Sequence, residues 1–367
     1  MLNVKSQTTM FQSQQVMESW IARGDFAGGA LIAVRDGRVV QEYYVGDAAP
    51  ERAASSGTLW PLASISKVYS VTMVMRLIEM GVLSLNMHVR HLFPQFVGGG
   101  RENIMLRHLL THTSGLIYES PHMEARLAAQ IPMEALIEEA FTAPLLFQPG
   151  RSMSYADYNT LLVGHMAATA TGRPFAELVE QLVFEPMGLR DTHIRPAAAH
   201  APHIAHVRTV MAEGTPGAMY NSTHARGLAH PAFGVLATVS DLMRFLQHFA
   251  PGGPRILREA TVQAMTRDMA GGVRGHVIAQ EGRSPVAPAP WGLGWGLQTE
   301  HTPGVYCDLA SNRTFGHGGA SGCWCFVDPE ANIAVAVVSN THLRAGRDAW
   351  TVRLKTMVNA AYAEVAN

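Results

Sequence analysis

Ser64 and Lys67 are the first residues whose types and spacing invite chemistry. After Ser64 the apolar residues Val68, Val71, Met75 and Ile78 recur at helical spacing, which predicts a helix opening at Ser64 and stopping at Gly81. Three positions apart on such a helix, the hydroxyl and the amine share one face. A serine at the positive end of a helix dipole, with an amine in reach to take its proton, is an activated nucleophile. Ser-x-x-Lys is also ordinary helix chemistry, a capping serine followed by a lysine on a solvated face. The rest of the chain has to separate the two.

Three more stretches follow in a defined order. Residues 109–116 read Leu-Leu-Thr-His-Thr-Ser-Gly-Leu, a helix end and turn expected to be scaffold that shapes a cleft. Tyr155-Ala156-Asp157 comes shortly after Pro149-Gly150 and runs into Leu-Leu-Val-Gly, and His317-Gly318-Gly319 lies on a late strand. Together, and in this order, they resemble the serine β-lactamase and penicillin-binding-protein superfamily. The likeness is closest to its class C β-lactamase-like branch, which includes family VIII carboxylesterases, D-aminopeptidases and related acyltransferases. It runs from the hairpin at residues 28–44 to Gly-His-Gly-Gly-Ala-Ser-Gly near the end.

The resemblance implies roles. Ser64 would attack a carbonyl and form an acyl-enzyme, splitting one displacement into two easier ones. Lys67, partly desolvated, would keep the proton moving, and Tyr155 would act across the cleft as base in acylation or acid for the leaving group. Such a phenol ionises only where cations lower a pKa of about 10, and Lys67 is the obvious cation. Which of the two is the resting base stays open, so they are assigned as a coupled pair. Tyr158 competes for the role, and the Pro-Gly and Leu-Leu-Val-Gly frame favours Tyr155. Backbone N–H groups of Ser64 and, by analogy of strand position, Ala320 would hold the oxyanion, each worth about 3 kcal/mol in hydrolases of this type.

Two positions depart from the family pattern. Asp157 stands where the β-lactamases have Asn; an ionised carboxylate offers acceptors only. Near Lys67 it would favour the ammonium form and push base duty toward Tyr155; the alternative is a solvent-facing cap of the next helix. His317 stands where many relatives carry a Lys suited to a substrate carboxylate, and His is mostly neutral at pH 7. Both changes favour small neutral esters or amides over β-lactams or D-Ala-D-Ala peptides. Gly318 and Gly319 are expected to be small so that substrate can lie along the strand.

The elements that must position these groups can be read around them. Residues 11–24 look like an amphipathic helix, and Gly28–Tyr44 is two strand-like runs about Asp36-Gly37, a strong hairpin signal. Leu83–Phe93 and Arg107–Leu116 read as short helical pieces, 122–142 as an Ala- and Glu-rich helix, and Pro174–Phe184 as another. Residues 196–232 are an irregular connection bordering a cleft, and 239–249 a helix opening at Ser240-Asp241. From Trp291 the pattern returns to strands over 314–327 and 333–339, closed by a helix from Asp348 to Val365.

The expected fold is therefore α/β of the α+β type: an antiparallel sheet flanked by helices, with a mostly helical second region, β-lactamase/transpeptidase-like. Its sheet domain is discontinuous, residues 1–85 and 226–367, and the helical region is 86–225. Trp291, Trp295 and Trp324 are expected in core or sheet packing, Tyr118 at the cleft or in loop packing, and Cys323 and Cys325 on one buried side of a strand.

Composition narrows the function classes. A chain of 367 residues with net charge −1 and scattered basic residues lacks the footprint of a nucleic-acid or anionic-membrane binder. No stretch approaches a transmembrane span, and Met1–Trp20 has no apolar run of secretory-signal length. Three cysteines, Cys307, Cys323 and Cys325, suit a reducing compartment, with cytoplasm the default. His200, His203 and His206 lack partners at metal-ligand spacing, no dinucleotide or phosphate loop is present, and no cofactor or metal is expected. The reading is a serine hydrolase, a carboxylesterase acting on a small-molecule ester or amide. Amide hydrolysis, acyl transfer and a non-catalytic sensor module are its alternatives, and composition assigns no oligomeric state.

Overall fold

Asp36 and Gly37 both take positive φ, 50° and 76°, as a two-residue hairpin loop requires. They turn β1 (Gly28–Arg35) into β2 (Arg38–Ala49), which is followed by the short β3 (Arg52–Ala53). The rest of the sheet comes from the far end of the chain: β4 (Gly296–Leu297), β5 (Phe315–Gly319), β6 (Cys323–Asp328) and β7 (Ile333–Ser339). The seven strands lie in the order β4-β5-β6-β7-β1-β2-β3. Every pairing is antiparallel, and β7 joins β1 from Gly29–Ser339 to Arg35–Ile333. The expected sheet, split between the two ends of the chain and flanked by helices, is thus what the protein forms.

This computed structural model describes residues 10–208, 218–276, 287–343, 345 and 350–366. The polar start before Met10, residues 209–217 of the irregular connection, and Asp348 fall outside the described residues.

Four helices matter for the site: α1 (Gln12–Ala22), α2 (Ser66–Glu79), α3 (Asp157–Thr171) and α4 (Trp350–Ala366). One sheet face, with Ala30, Ile32, Val34, Ala336 and Val338, packs into the large core that contains α2 and α3. The other, with Leu31, Ala33, Val335 and Val337, packs on Met17 and Trp20 of α1 and Val358 and Tyr362 of α4. Because both faces are covered, β1 and β7 are apolar at nearly every position instead of alternating.

Several local expectations are corrected. The 122–142 helix is two, Met123–Ala128 and Met133–Thr142, separated by Gln130 at φ 54° and by Pro132, whose ring cannot continue a helix. Leu83–Phe93 contains only the 3-10 turn Val89–His91. Residues 314–327 fold as two strands, β5 and β6, reversed at Gly322 (φ 105°). The helix over 239–247 opens on Thr238, whose hydroxyl accepts from the Asp241 N–H, and not on Ser240. Among the described residues no helix is long and apolar enough to cross a membrane.

Candidate active site

Ser64 lies in a 3-10 turn, Ala63–Ile65, that feeds directly into α2. Ala63 before it is held at φ 48°, a left-handed conformation that an alanine adopts at a cost of about 1–2 kcal/mol. The result is a partly exposed serine one turn ahead of a fully buried lysine. The Lys67 Nζ lies 3.0 Å from Ser64 Oγ, 2.7 Å from an Asp157 carboxylate oxygen and 3.1 Å from the Ala232 carbonyl oxygen.

The first turn of α2 is clamped by the segment from His230 to Val235. Ser70 Oγ donates to the Pro231 carbonyl, Ser66 Oγ accepts from the Val235 N–H, and the Leu62 N–H donates to the Val235 carbonyl. Gly164 of α3 has a role here, since a Cβ on it would sit 2.5 Å from the Pro231 ring. Its absence lets α3, which begins with Asp157, come close to the segment that supplies the Ala232 carbonyl. The irregular 196–232 connection thus ends by wiring the lysine.

Asp157 is 3% exposed, so the alternative of a solvent-facing cap is excluded. Burial pushes its carboxyl pKa up against the pull of Lys67, and burial pushes the Lys67 ammonium down against the pull of Asp157 and Glu119. Both charged forms are thus disfavoured alone and sustain each other, and the two titrate as one pair.

Tyr155 closes the cluster from above. Its ring centroid is 4.8 Å from Lys67 Nζ, a cation–π contact, and the Ser64 hydroxyl bears on its phenol oxygen. The expectation that a cation would depress this phenol is reversed. Burial and the Asp157 charge raise it well above its ordinary value, outweighing the Ser64 contact. Tyr155 therefore keeps its proton. Tyr158 faces elsewhere, toward Ser120 and Glu139.

Two histidines and a tryptophan hold the Tyr155 ring. His112, itself at φ 56°, lies 4.5 Å from it and accepts at Nδ1 from the Ala156 N–H and the Asn159 amide, while Ser114 donates to that same Asn159. Both donors fix the His112 proton on Nε2, and burial keeps the ring neutral. Trp291 is buried in a small core cluster with Met153 and Tyr155, in line with the expected core packing, and packs edge-on against His112, Tyr155 and His317; Trp295 sits in the main core against Phe245, Phe249 and Phe315. Tyr118 borders the cleft, its ring 6.2 Å from Tyr155 and its carbonyl accepting from the Asp157 N–H.

His317 donates Nδ1–H to the Gly318 carbonyl at 2.8 Å, which leaves Nε2 an acceptor. Burial and Lys67 bring its pKa down to about 3. Gly318 and Ala320 are partly exposed. Gly319 has a packing reason to be small, because a Cβ there would lie 2.2 Å from the Leu62 carbonyl oxygen, two residues before Ser64. That close contact lets β5 touch the serine turn. β4 pairs only with Phe315 and Gly316, so among the described residues the outer edge of β5 is unpaired from His317 to Gly319.

A family model described as Beta-lactamase matches residues 14–357. The chain belongs to the beta-lactamase family. Among curated relatives, esterase EstB of Burkholderia gladioli is 27% identical over 368 residues, 91% of each chain. A family VIII carboxylesterase superposes with TM-score 0.76 at 21% identity, covering 96% of both chains. EstCE1, described as a hydrolase with promiscuous acyltransferase activity, superposes with TM-score 0.75 at 22% identity over 95% of this chain and 97% of its own.

Nothing in the sequence singled out His112 as more than scaffold, although it lies within the Leu-Leu-Thr-His-Thr-Ser-Gly-Leu stretch. Asn159, two positions after Asp157, was equally silent. The Ala232 carbonyl has no sequence signal at all, since every residue carries one. Among the described residues no cluster of three or more His, Cys, Asp or Glu is placed to hold a metal ion.

Proposed function

We propose that this beta-lactamase-family protein is a serine hydrolase that forms an acyl-enzyme on Ser64, a carboxylesterase acting on small neutral esters. The carrying observation is the Lys67 nitrogen 3.0 Å from a partly exposed serine hydroxyl, with the Tyr155 ring 4.8 Å from that nitrogen. Lys67 takes the Ser64 proton as the oxygen attacks, and Tyr155, held as a phenol, donates to the departing alcohol oxygen. Likeness to esterase EstB and to a family VIII carboxylesterase supports ester chemistry.

The oxyanion is assigned to the N–H groups of Ser64 and Ala320. The Gly319 carbonyl accepts from the Gly322 N–H at 2.9 Å, and in a planar trans peptide the Ala320 N–H points the opposite way. Gly318 and the unpaired edge of β5 border the substrate. A neutral His317 offers no cation to a substrate carboxylate, which supports neutral esters over penicillin-type acids. The cleft is placed between a discontinuous sheet domain, 1–85 with 226–367, and the 86–225 region. Three free, buried cysteines fit a reducing, cytoplasmic setting.

The test is intact-mass spectrometry after exposure to a fluorophosphonate and a panel of short-chain p-nitrophenyl esters, for wild type and Ser64→Ala. The expected outcome is one adduct per chain on the wild type and none on the variant. Faster turnover of penicillins than of the esters would overturn the substrate assignment.

A further inference from the structure

Ala63 precedes Ser64, Ala232 turns its carbonyl to Lys67, and Ala320 carries an N–H assigned to the oxyanion. All three alanines fall in one apolar cluster with Val207, Tyr220 and Phe233, separate from the cluster that holds Tyr155 and Trp291. In the proposed reaction the alcohol departs toward Tyr155. The carbonyl carbon bonded to Ser64 has one other carbon substituent, the acyl chain, and the alanine cluster is the apolar surface left to receive it.

Tyr220 and Phe233 also line a void of about 20 Å³, together with Pro61, Ala225, Val235 and Leu236. Arg226 borders it as well, its Nε donating to the Tyr220 carbonyl at 2.8 Å. One water needs about 10–15 Å³ and two or more polar partners. The void has the room and a mostly apolar lining, so its use is as space for carbon. The two aromatic residues it shares with the alanine cluster form the partition between them.

We propose that Phe233 sets the length of acyl chain that Ser64 accepts: its ring ends the acyl pocket, and the void is the blocked continuation of that pocket. The inference rests on Ser64 being the nucleophile of an ester hydrolase, and it narrows the substrates to esters of short aliphatic acids. The wall is held in place. The Phe233 ring stacks on His230 with centroids 3.9 Å apart and planes 9° apart. His230 is fully buried, its Nδ1 accepts from the Ala232 N–H at 3.1 Å, and its carbonyl accepts from the N–H groups of both Phe233 and Gly234. The ring cannot swing aside without breaking that stack, so a longer chain meets a fixed surface.

The experiment compares kcat/KM for p-nitrophenyl butyrate and p-nitrophenyl octanoate in wild type, Phe233→Ala, Phe233→Leu and the double variant Phe233→Ala with Ala225→Leu. The ratio of the two esters is read, so a uniform loss of activity drops out. Wild type is expected to favour butyrate. Phe233→Ala should raise the octanoate-to-butyrate ratio by about tenfold or more, since each further methylene buried is worth about fourfold. Phe233→Leu should give a smaller rise in the same direction, and it serves in place of the alanine variant if that one fails to fold. Leucine in place of Ala225 refills the void, so the double variant should return toward the wild-type ratio. A ratio unchanged in both single variants overturns the inference, and so does a wild type that favours octanoate or a rise that the Ala225 substitution leaves intact. Absence of any Ser64 adduct on the wild type after fluorophosphonate would instead sink the hydrolase reading.

Discussion

The two halves of the site are built on opposite principles. On the α2 side Lys67, Asp157, Ser64 and the Ala232 carbonyl form a charged cluster, the amine hydrogen-bonded to Ser64 and Ala232 and ion-paired with Asp157. On the β5 side Tyr155, His112, Trp291 and His317 form an uncharged aromatic wall, where His317 Nε2 has no hydrogen-bond partner among the described residues. Buried polar groups are normally satisfied, and exceptions concentrate where function needs them. On the proposed reading the contrast separates labour: one half receives and balances the serine proton, and the other presents neutral groups to the substrate.

Removing a member of the charged half should do the most damage. Lys67→Ala is expected to reduce ester turnover by a factor of about 10⁴ or more and also to lower unfolding free energy by about 3–5 kcal/mol, because Asp157 is left buried without its counter-charge. Steady-state kinetics with denaturant unfolding reads both, and a stable Lys67→Ala would refute the pairing.

Tyr155→Phe should separate the halves. It is expected to lose about 10²–10⁴ in kcat with little change in melting temperature, since the contact it removes is the one to the Ser64 hydroxyl. A large stability loss would mean that the phenol is structural.

A cation on the neutral wall would sharpen the contrast. His317→Lys is expected to improve kcat/KM for esters carrying a carboxylate by about tenfold relative to neutral ones, the worth of one charge-assisted contact. Parallel assays on a matched neutral and acidic ester pair would read it; equal ratios would remove His317 from substrate selection.

Stability against pH tests the burial of the neutral half itself. His230 and His317 are buried, and their pKa values are depressed to about 3 against 6.5 in the unfolded chain. Between these values the unfolded state binds protons that the folded state refuses, so stability falls as pH is lowered from about 6.5 toward 3. The loss is on the order of 1 kcal/mol per histidine per pH unit. Thermal melts from pH 7 to pH 4.5 should decline, and His230→Gln should flatten the slope. A melt that is flat or rises on acidification contradicts the burial.

Short-range information carried much of this protein. The Asp36-Gly37 hairpin, the apolar character of β1 and β7 and the Ser64–Lys67 spacing depend on neighbours within a few positions, where backbone preference and helical periodicity act directly. The order of the Ser-x-x-Lys, Tyr155 and His317 stretches pointed to the family before any coordinate did. What tertiary structure alone decided is where distant groups meet. Asp157 turned to Lys67 because α3 comes close to the His230–Val235 segment at Gly164. Ala232, 165 residues from Lys67, offers a backbone carbonyl that no residue type advertises. Gly319 proved to be small for Leu62, and the Tyr155 pKa rose because burial outweighed the cation beside it. Desolvation and backbone approach are properties of the packed interior, and a linear string of side chains does not contain them.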